Sequence, residues 1–150
     1  MADEVDVLQS TLNVLKDNWV QAHTGSAVPT FIKITDKKRL DFMPNTSYVI
    51  AQRNATNIQP AGIGEANKHD FDNFDIDVRV MGKNREQHFL NVLKEIKRIY
   101  DEKKVNPITA IPETHILDYD GTGQDLSNKM FNVFRKLIPT QLKRYNITRS

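Results

Sequence analysis

The sequence predicts an α+β domain in which a mainly antiparallel β-sheet packs against an N-terminal helix and a central amphipathic helix. Three observations carry this. Phe74, Ile76, Val78 and Val80 alternate with Asp75, Asp77, Arg79 and Met81, the period of two expected of a strand with one wet face. After Gly82-Lys83 the period becomes helical, with Phe89, Val92, Leu93, Ile96, Ile99 and Tyr100 on one stripe. Near the start, Val5, Leu8, Leu12, Leu15 and Trp19 fall at spacings of three and four, which predicts a helix of about five turns.

The remaining elements follow in order. Asp3 or Asp6 is placed to cap the first helix and complement its dipole, and Gly25 and Pro29 set its end near His23. Thr30 to Ile34 alternates and predicts a strand; Asp36-Lys37-Lys38-Arg39 is a charged turn; Ser47 to Gln52 is the next strand. From Asn54 to His69 the regularity breaks, with Pro60, Gly62 and Gly64 among polar residues. That is a loop beyond the usual connection length, either a binding arm or an insertion. Asn84 is a candidate N-cap for the central helix, with Gln87 as its capping-box partner. His115 to Tyr119 predicts a short strand and Asp120-Gly121-Thr122-Gly123 a turn. Met130 to Ile138 fits a helical stripe stopped by Pro139 and fits equally a long bent strand with Pro139 at an edge or bulge.

The chain has 150 residues, most simply one domain covering 1–150, long enough to bury roughly two-thirds of its unfolded surface. Its 39% hydrophobic and 27% charged residues are ordinary for a soluble protein. No apolar run approaches the ~20 residues that span a bilayer. The acidic start, Met1-Ala2-Asp3-Glu4-Val5-Asp6, does not resemble a secretory signal, and the chain reads as intracellular, or at least made and assembled there. Without cysteine there is neither a disulfide framework nor a thiolate metal site.

Net charge is only +2, but it is unevenly placed. Glu65, Asp70, Asp72, Asp75 and Asp77 crowd one stretch against a single Lys68. After Asp125 no acid appears, while Lys129, Arg135, Lys136, Lys143, Arg144 and Arg149 do. One acidic region and one basic end suit either a polyanion partner or attraction between copies of the protein.

Candidate chemistry is thin. His115-Ile116-Leu117-Asp118-Tyr119-Asp120-Gly121-Thr122 looks like the nucleophile motif of haloacid-dehalogenase-type phosphatases, in which one aspartate attacks phosphorus and the next acts as acid/base. That motif opens a large doubly wound domain, and too little chain follows it here; the turn reading is preferred. Asp70, Asp72, Asp75 and Asp77, with Glu95 and Lys97 downstream, weakly suggest a metal-dependent nuclease. Glu95 and Lys97, however, lie two apart in a helical pattern and so on different faces. The four histidines, at 23, 69, 88 and 115, show no metal-ligand spacing, and Gly62-Ile63-Gly64 lacks the rest of a phosphate loop. No catalytic residue, cofactor or metal is expected. A nucleic-acid-binding or nuclease-like domain, using Lys143, Arg144 and Arg149 with Tyr145 and the Asp70–Asp77 strand, is the alternative reading.

The junction Phe74-Asp75-Ile76-Asp77-Val78-Arg79-Val80-Met81-Gly82-Lys83 followed by Asn84-Arg85-Glu86-Gln87 resembles the tail-terminator (tail-completion) proteins of long-tailed phages and archaeal viruses. In that family a strand of this type runs into a helix that begins near an Arg-Glu pair. Asp125 to Lys129, Phe134 to Ile138 and the tail Leu142-Lys143-Arg144-Tyr145-Asn146 are similar to the family's closing strands; Pro139 departs from the pattern. The order of helix, two strands, irregular arm, long strand, helix and closing strands fits too, and it makes Met130 to Ile138 a strand. The resemblance implies a virion protein assembled in the host cytoplasm: a homo-oligomeric ring, usually of six, that caps the tail tube and joins it to the neck and head-completion proteins. DNA would pass through the lumen without specific binding, with no membrane contact and no chemistry. Subunit or tail-interface candidates are Gln59, Ile63 and Glu65 in the arm, Asp72, Asp75 and Asp77 on the strand, and Arg135, Lys143 and Arg144 in the basic end. The acidic 65–77 stretch of one subunit is expected to face the basic terminal strand of the next.

Overall fold

A computed structural model of the chain describes residues 6–25, 28–34, 45–53, 68–112, 114–120 and 123–147. Helix α1 spans Val7–Asp17 and buries Val7, Leu8, Thr11, Leu12, Val14 and Leu15. Asp6 is its N-cap, the carboxylate accepting from the Gln9 N–H at 3.1 Å, and it also pairs with Lys33. The helix has about three turns, not the expected five. It stops at Asn18, whose amide donates to the Val14 carbonyl at 2.8 Å, and the chain restarts as the single turn α2, Gln21–Thr24. Trp19 therefore sits between the helices, its ring edge-on to Phe31 at 5.6 Å.

The strands are β1 Thr30–Lys33, β2 Ser47–Arg53, β3 Lys68–Met81, β4 His115–Tyr119, β5 Gln124–Asp125 and β6 Val133–Ile147. They form one mixed sheet in the order β1-β2-β3-β6-β4, with β5 also on β6. Only β1 and β2 run parallel; the other pairings are antiparallel. Two strands exceed the usual length, 14 residues for β3 and 15 for β6. Lys68 and His69, expected in the loop, belong to β3 because β6 continues to Ile147, which stands opposite Lys68. Positions 54–67 lie outside the described residues, as does the turn at Asp36–Arg39.

The segment Met130 to Ile138 divides: Met130 and Phe131 belong to a 3-10 turn, Lys129–Phe131, and the strand expected there begins at Val133. The period of two puts Phe134, Ile138 and Leu142 on the buried face, and these are 7%, 6% and 0% exposed. Pro139 sits inside β6 without breaking it. Its carbonyl accepts the Asp120 N–H at 2.9 Å, so its nitrogen also points away from β3, where no ladder bond is lost. On that side β5 pairs as far as Leu137 and β4 begins at Thr140. Proline occupies the gap.

Helix α3, Glu86–Glu102, follows β3 as expected, but Asn84 is not its N-cap. The tight turn uses left-handed backbone at Gly82 (φ 129) and Asn84 (φ 60), so Asn84 serves the turn; the cap position falls to Arg85 without a side-chain bond. A Cβ at Gly82 would lie 2.6 Å from both Arg85 and Asn45 atoms, so only glycine fits. Gln87 bonds Asn91 one turn on, not the cap.

The core lies between α1, α3 and one sheet face. Val49 and Ala51 of β2 and Phe74, Ile76, Val78 and Val80 of β3 meet Leu12, Leu15, Phe89, Val92, Ile96 and Ile99. Apart from Ala51, each such side chain contributes about 1.5–3 kcal/mol by burial. Tyr100 stacks on Tyr119 at 4.9 Å and shares a hydrogen bond with Thr140 at 3.1 Å. His115, 1% exposed, accepts the Ile108 N–H on Nε2 at 3.0 Å and so staples the α3–β4 connection to β4.

One buried charge joins the helices. Glu95, 1% exposed on α3, accepts the Val20 N–H at 2.7 Å, pairs with Arg98, and faces His23 at 3.0 Å. Burial alone would raise its carboxyl, but the bonds from Arg98, His23 and Val20 outweigh that and bring it down to about 2. The folded value lies below the ordinary one, so its stabilisation is complete above pH 4.5 and vanishes as pH falls through about 2. The contribution is on the order of 3 kcal/mol. Glu95→Gln is expected to destabilise by about 2–4 kcal/mol at pH 7. Urea unfolding of both proteins from pH 7 to pH 2 should show the two stabilities converging; a gap that stays constant down to pH 2 contradicts the assignment.

Candidate association surface

The sheet face opposite the core carries the charged residues singled out above. By alternation it bears Tyr48, Ile50 and Gln52 of β2, Asp75, Asp77 and Arg79 of β3, and Arg135, Pro139 and Lys143 of β6. Among the described residues neither long helix packs here. The face is not uniformly wet: Ile50 and Asp77 are both 0% exposed.

Asp77 is held by two guanidinium groups. Arg135 approaches it with Nε at 3.0 and 3.2 Å from the two carboxylate oxygens and Nη2 at 3.0 Å. Arg79 adds Nε at 3.0 Å and Nη2 at 2.9 Å. Arg79 and Arg135 stand directly opposite one another across the β3–β6 ladder, a like-charge pairing that would weaken the strands by itself. The carboxylate between them turns repulsion into a bidentate clamp. Asp77 and Arg135 were expected at a boundary between subunits; they meet inside one chain, because β3 and β6 are neighbours in the sheet. Lys143 is similarly engaged, 3.6 Å from Asp118 of β4, and Arg144 stands opposite Asp70 in register. One acid of that stretch, Asp77, thus finds its basic partner, Arg135, within the subunit.

Asp75 differs. Burial, and then the charge of Asp77, push its carboxyl above the usual range. It borders a depression of about 330 Å³ floored by the small Pro139 ring, with Asp118, Asp120, Asn73 and Gln141 around it. Asp72 lies on the core-side face opposite Leu142, partly exposed. Gln59, Ile63 and Glu65 lie outside the described residues.

The enzyme-like patterns do not assemble. Asp118 and Asp120 lie on and just after a five-residue strand antiparallel to β6, not in the parallel sheet the phosphatase motif requires. Asp77 and Glu95 occupy opposite layers, so the nuclease arrangement is not formed. Among the described residues no group of three or more His, Asp or Glu could hold a metal ion. No helix among them is long and apolar enough to cross a membrane.

Sequence reasoning missed one feature of this region, an apolar prong. Met130 and Phe131 are 85% and 70% exposed on the 3-10 turn that opens β6. Reciprocal bonds between Asn128 and Val133, at 2.7 and 3.0 Å, close its base, and the Asn132 carbonyl accepts the Gly82 N–H at 2.9 Å. Asn132 takes left-handed backbone (φ 55) to make the turn. The dipeptide Met-Phe was absorbed into a helix-or-strand stripe, and only its bonding partners show that it projects.

No protein-family model matches the chain, and no curated protein matches it. The clamp is open to test by chemical denaturation at pH 7. Asp77→Asn should cost about 2–4 kcal/mol by leaving Arg79 and Arg135 opposed, whereas Asp75→Asn should be neutral or slightly stabilising, since ionised Asp75 opposes folding above its raised value. Equal losses from the two would contradict this account.

Proposed function

We propose that the chain is a structural assembly subunit of the tail-terminator kind, forming a closed ring that ends a virion tail tube and joins it to the neck and head-completion proteins. No bond is made or broken in this role; the subunit works by adhering to copies and to the tube. The element order supports the reading: helix, two strands, a long strand, a helix that starts at Glu86 behind Arg85, and closing strands that include the Pro139 segment. The observation that carries it is the prong. Two adjacent large apolar side chains held out on a braced turn are unfavourable on an isolated subunit and useful on one that associates. The cationic end, offered above as a nucleic-acid contact, has Arg135 and Lys143 already engaged with Asp77 and Asp118, which leaves that alternative with less charge to use.

Electron microscopy of the purified protein, alone and with a tail tube of stated composition, tests the role. Closed rings with a central lumen, seated at one end of the tubes and halting their growth, are expected. Particles that remain single at every concentration and leave tube length unchanged would remove the proposal.

A further inference from the structure

A second surface feature lies away from the prong. On the core-side edge of the sheet, a groove of about 230 Å³ runs between α3 and β6. Leu93, Ile96 and Ile138 form its floor and Tyr119 closes one end, while Lys94 and Lys97 stand on its helical lip and Lys136 of β6 borders the strand side. No acid lines it. The two helical lysines are three residues apart and so share one side of the helix, and neither has an ion pair among the described residues. An apolar floor with unpaired ammonium groups above it suits an aromatic ring, whose π face attracts cations.

We infer that this groove takes the Met130–Phe131 prong of a second copy, with Phe131 on the apolar floor beneath Lys94 and Lys97. The inference rests on the assembly reading above and names the partner for the same prong. The electrostatic match is between the lysine lip and the negative ring face of Phe131. A subunit does not fill its own groove. The base of the prong is closed by the Asn128–Val133 bonds, and it lies before Val133, whereas the groove is lined along β6 by Lys136 and Ile138, about 10 to 17 Å further along an extended strand. Prong and groove occupy different places on the subunit, so the contact is head-to-tail. Repetition of such a contact gives a ring if the rotation closes and a filament if it does not.

The test is size-exclusion chromatography with light scattering over a concentration series, with circular dichroism to check folding. A prong variant carries Met130→Ser and Phe131→Asp, both at exposed positions. One groove variant carries Leu93→Glu. Because Leu93 also packs on the core, a second carries Lys94→Glu with Lys97→Glu, both at the surface. The native chain should assemble, and each folded variant alone should associate at least tenfold more weakly. Mixing the prong variant, whose groove is intact, with a groove variant, whose prong is intact, should give one-to-one dimers and nothing larger. A native chain that assembles while all variants assemble equally well overturns this contact and leaves the ring reading in place. A native chain that is monomeric throughout overturns both.

Discussion

The structure depends on the ladder between β3 and β6. These are the two longest strands, they lie side by side in the middle of the sheet, and every other strand joins one of them except β1, which reaches β3 through β2. A slip of one residue in this pairing would turn Phe74, Ile76, Val78 and Val80 out of the core. Hydrophobic alternation alone resists that slip, and the Asp77 clamp adds a polar lock from the other face. Asp77 bonds its own strand through Arg79 and the partner strand through Arg135, 58 residues away. Any other register would bury the carboxylate without its cations, which is more unfavourable than losing an exposed ion pair.

Fixing that ladder makes the two sides of the sheet unlike each other. The core side carries α1 over β1 and β2 and α3 over β3 and β4, with Glu95 tying the α1–α2 junction to α3. The opposite side is a charged surface with a depression over Pro139. The same ladder sets the ends. Because β6 starts opposite Met81, the turn before it is pressed against Gly82 and must project, which is how Met130 and Phe131 come to stand in solvent. Because β4 and β5 share the far edge of β6 and leave a gap, proline can occupy a central strand at position 139. The shape of the sheet and the exposed Met130–Phe131 turn both follow from where two strands begin and stop.

The elements with strong periods were legible from composition and spacing: α3, β3 and β4; of the two candidate caps, Asp3 and Asp6, the structure uses Asp6. Boundaries were less so. The stripe from Val5 to Trp19 reads as one helix, yet Asn18 ends it, because a side-chain amide that captures the Val14 carbonyl competes with the next turn of backbone. Asn84 matched a cap by residue type, and a cap and a left-handed turn favour the same residue. Glu95 was recoverable in principle: it lies three after Val92 and four before Ile99, on the inward face, with Arg98 three residues on. Asp77 was not. In a chain read alone it is one more polar residue on an alternating strand, indistinguishable from Asp75.

By itself, then, the amino-acid order determined the class of fold, the two amphipathic helices and the inward face of the long strand, because these depend on periodicity within about a dozen residues. Tertiary structure decided which acid is buried and which base answers it, where between Met130 and Ile138 turn gives way to strand, and that a methionine and a phenylalanine project. Those outcomes depend on partners 50 or more residues away, and only the closed β3–β6 ladder brings such partners within a hydrogen bond's reach.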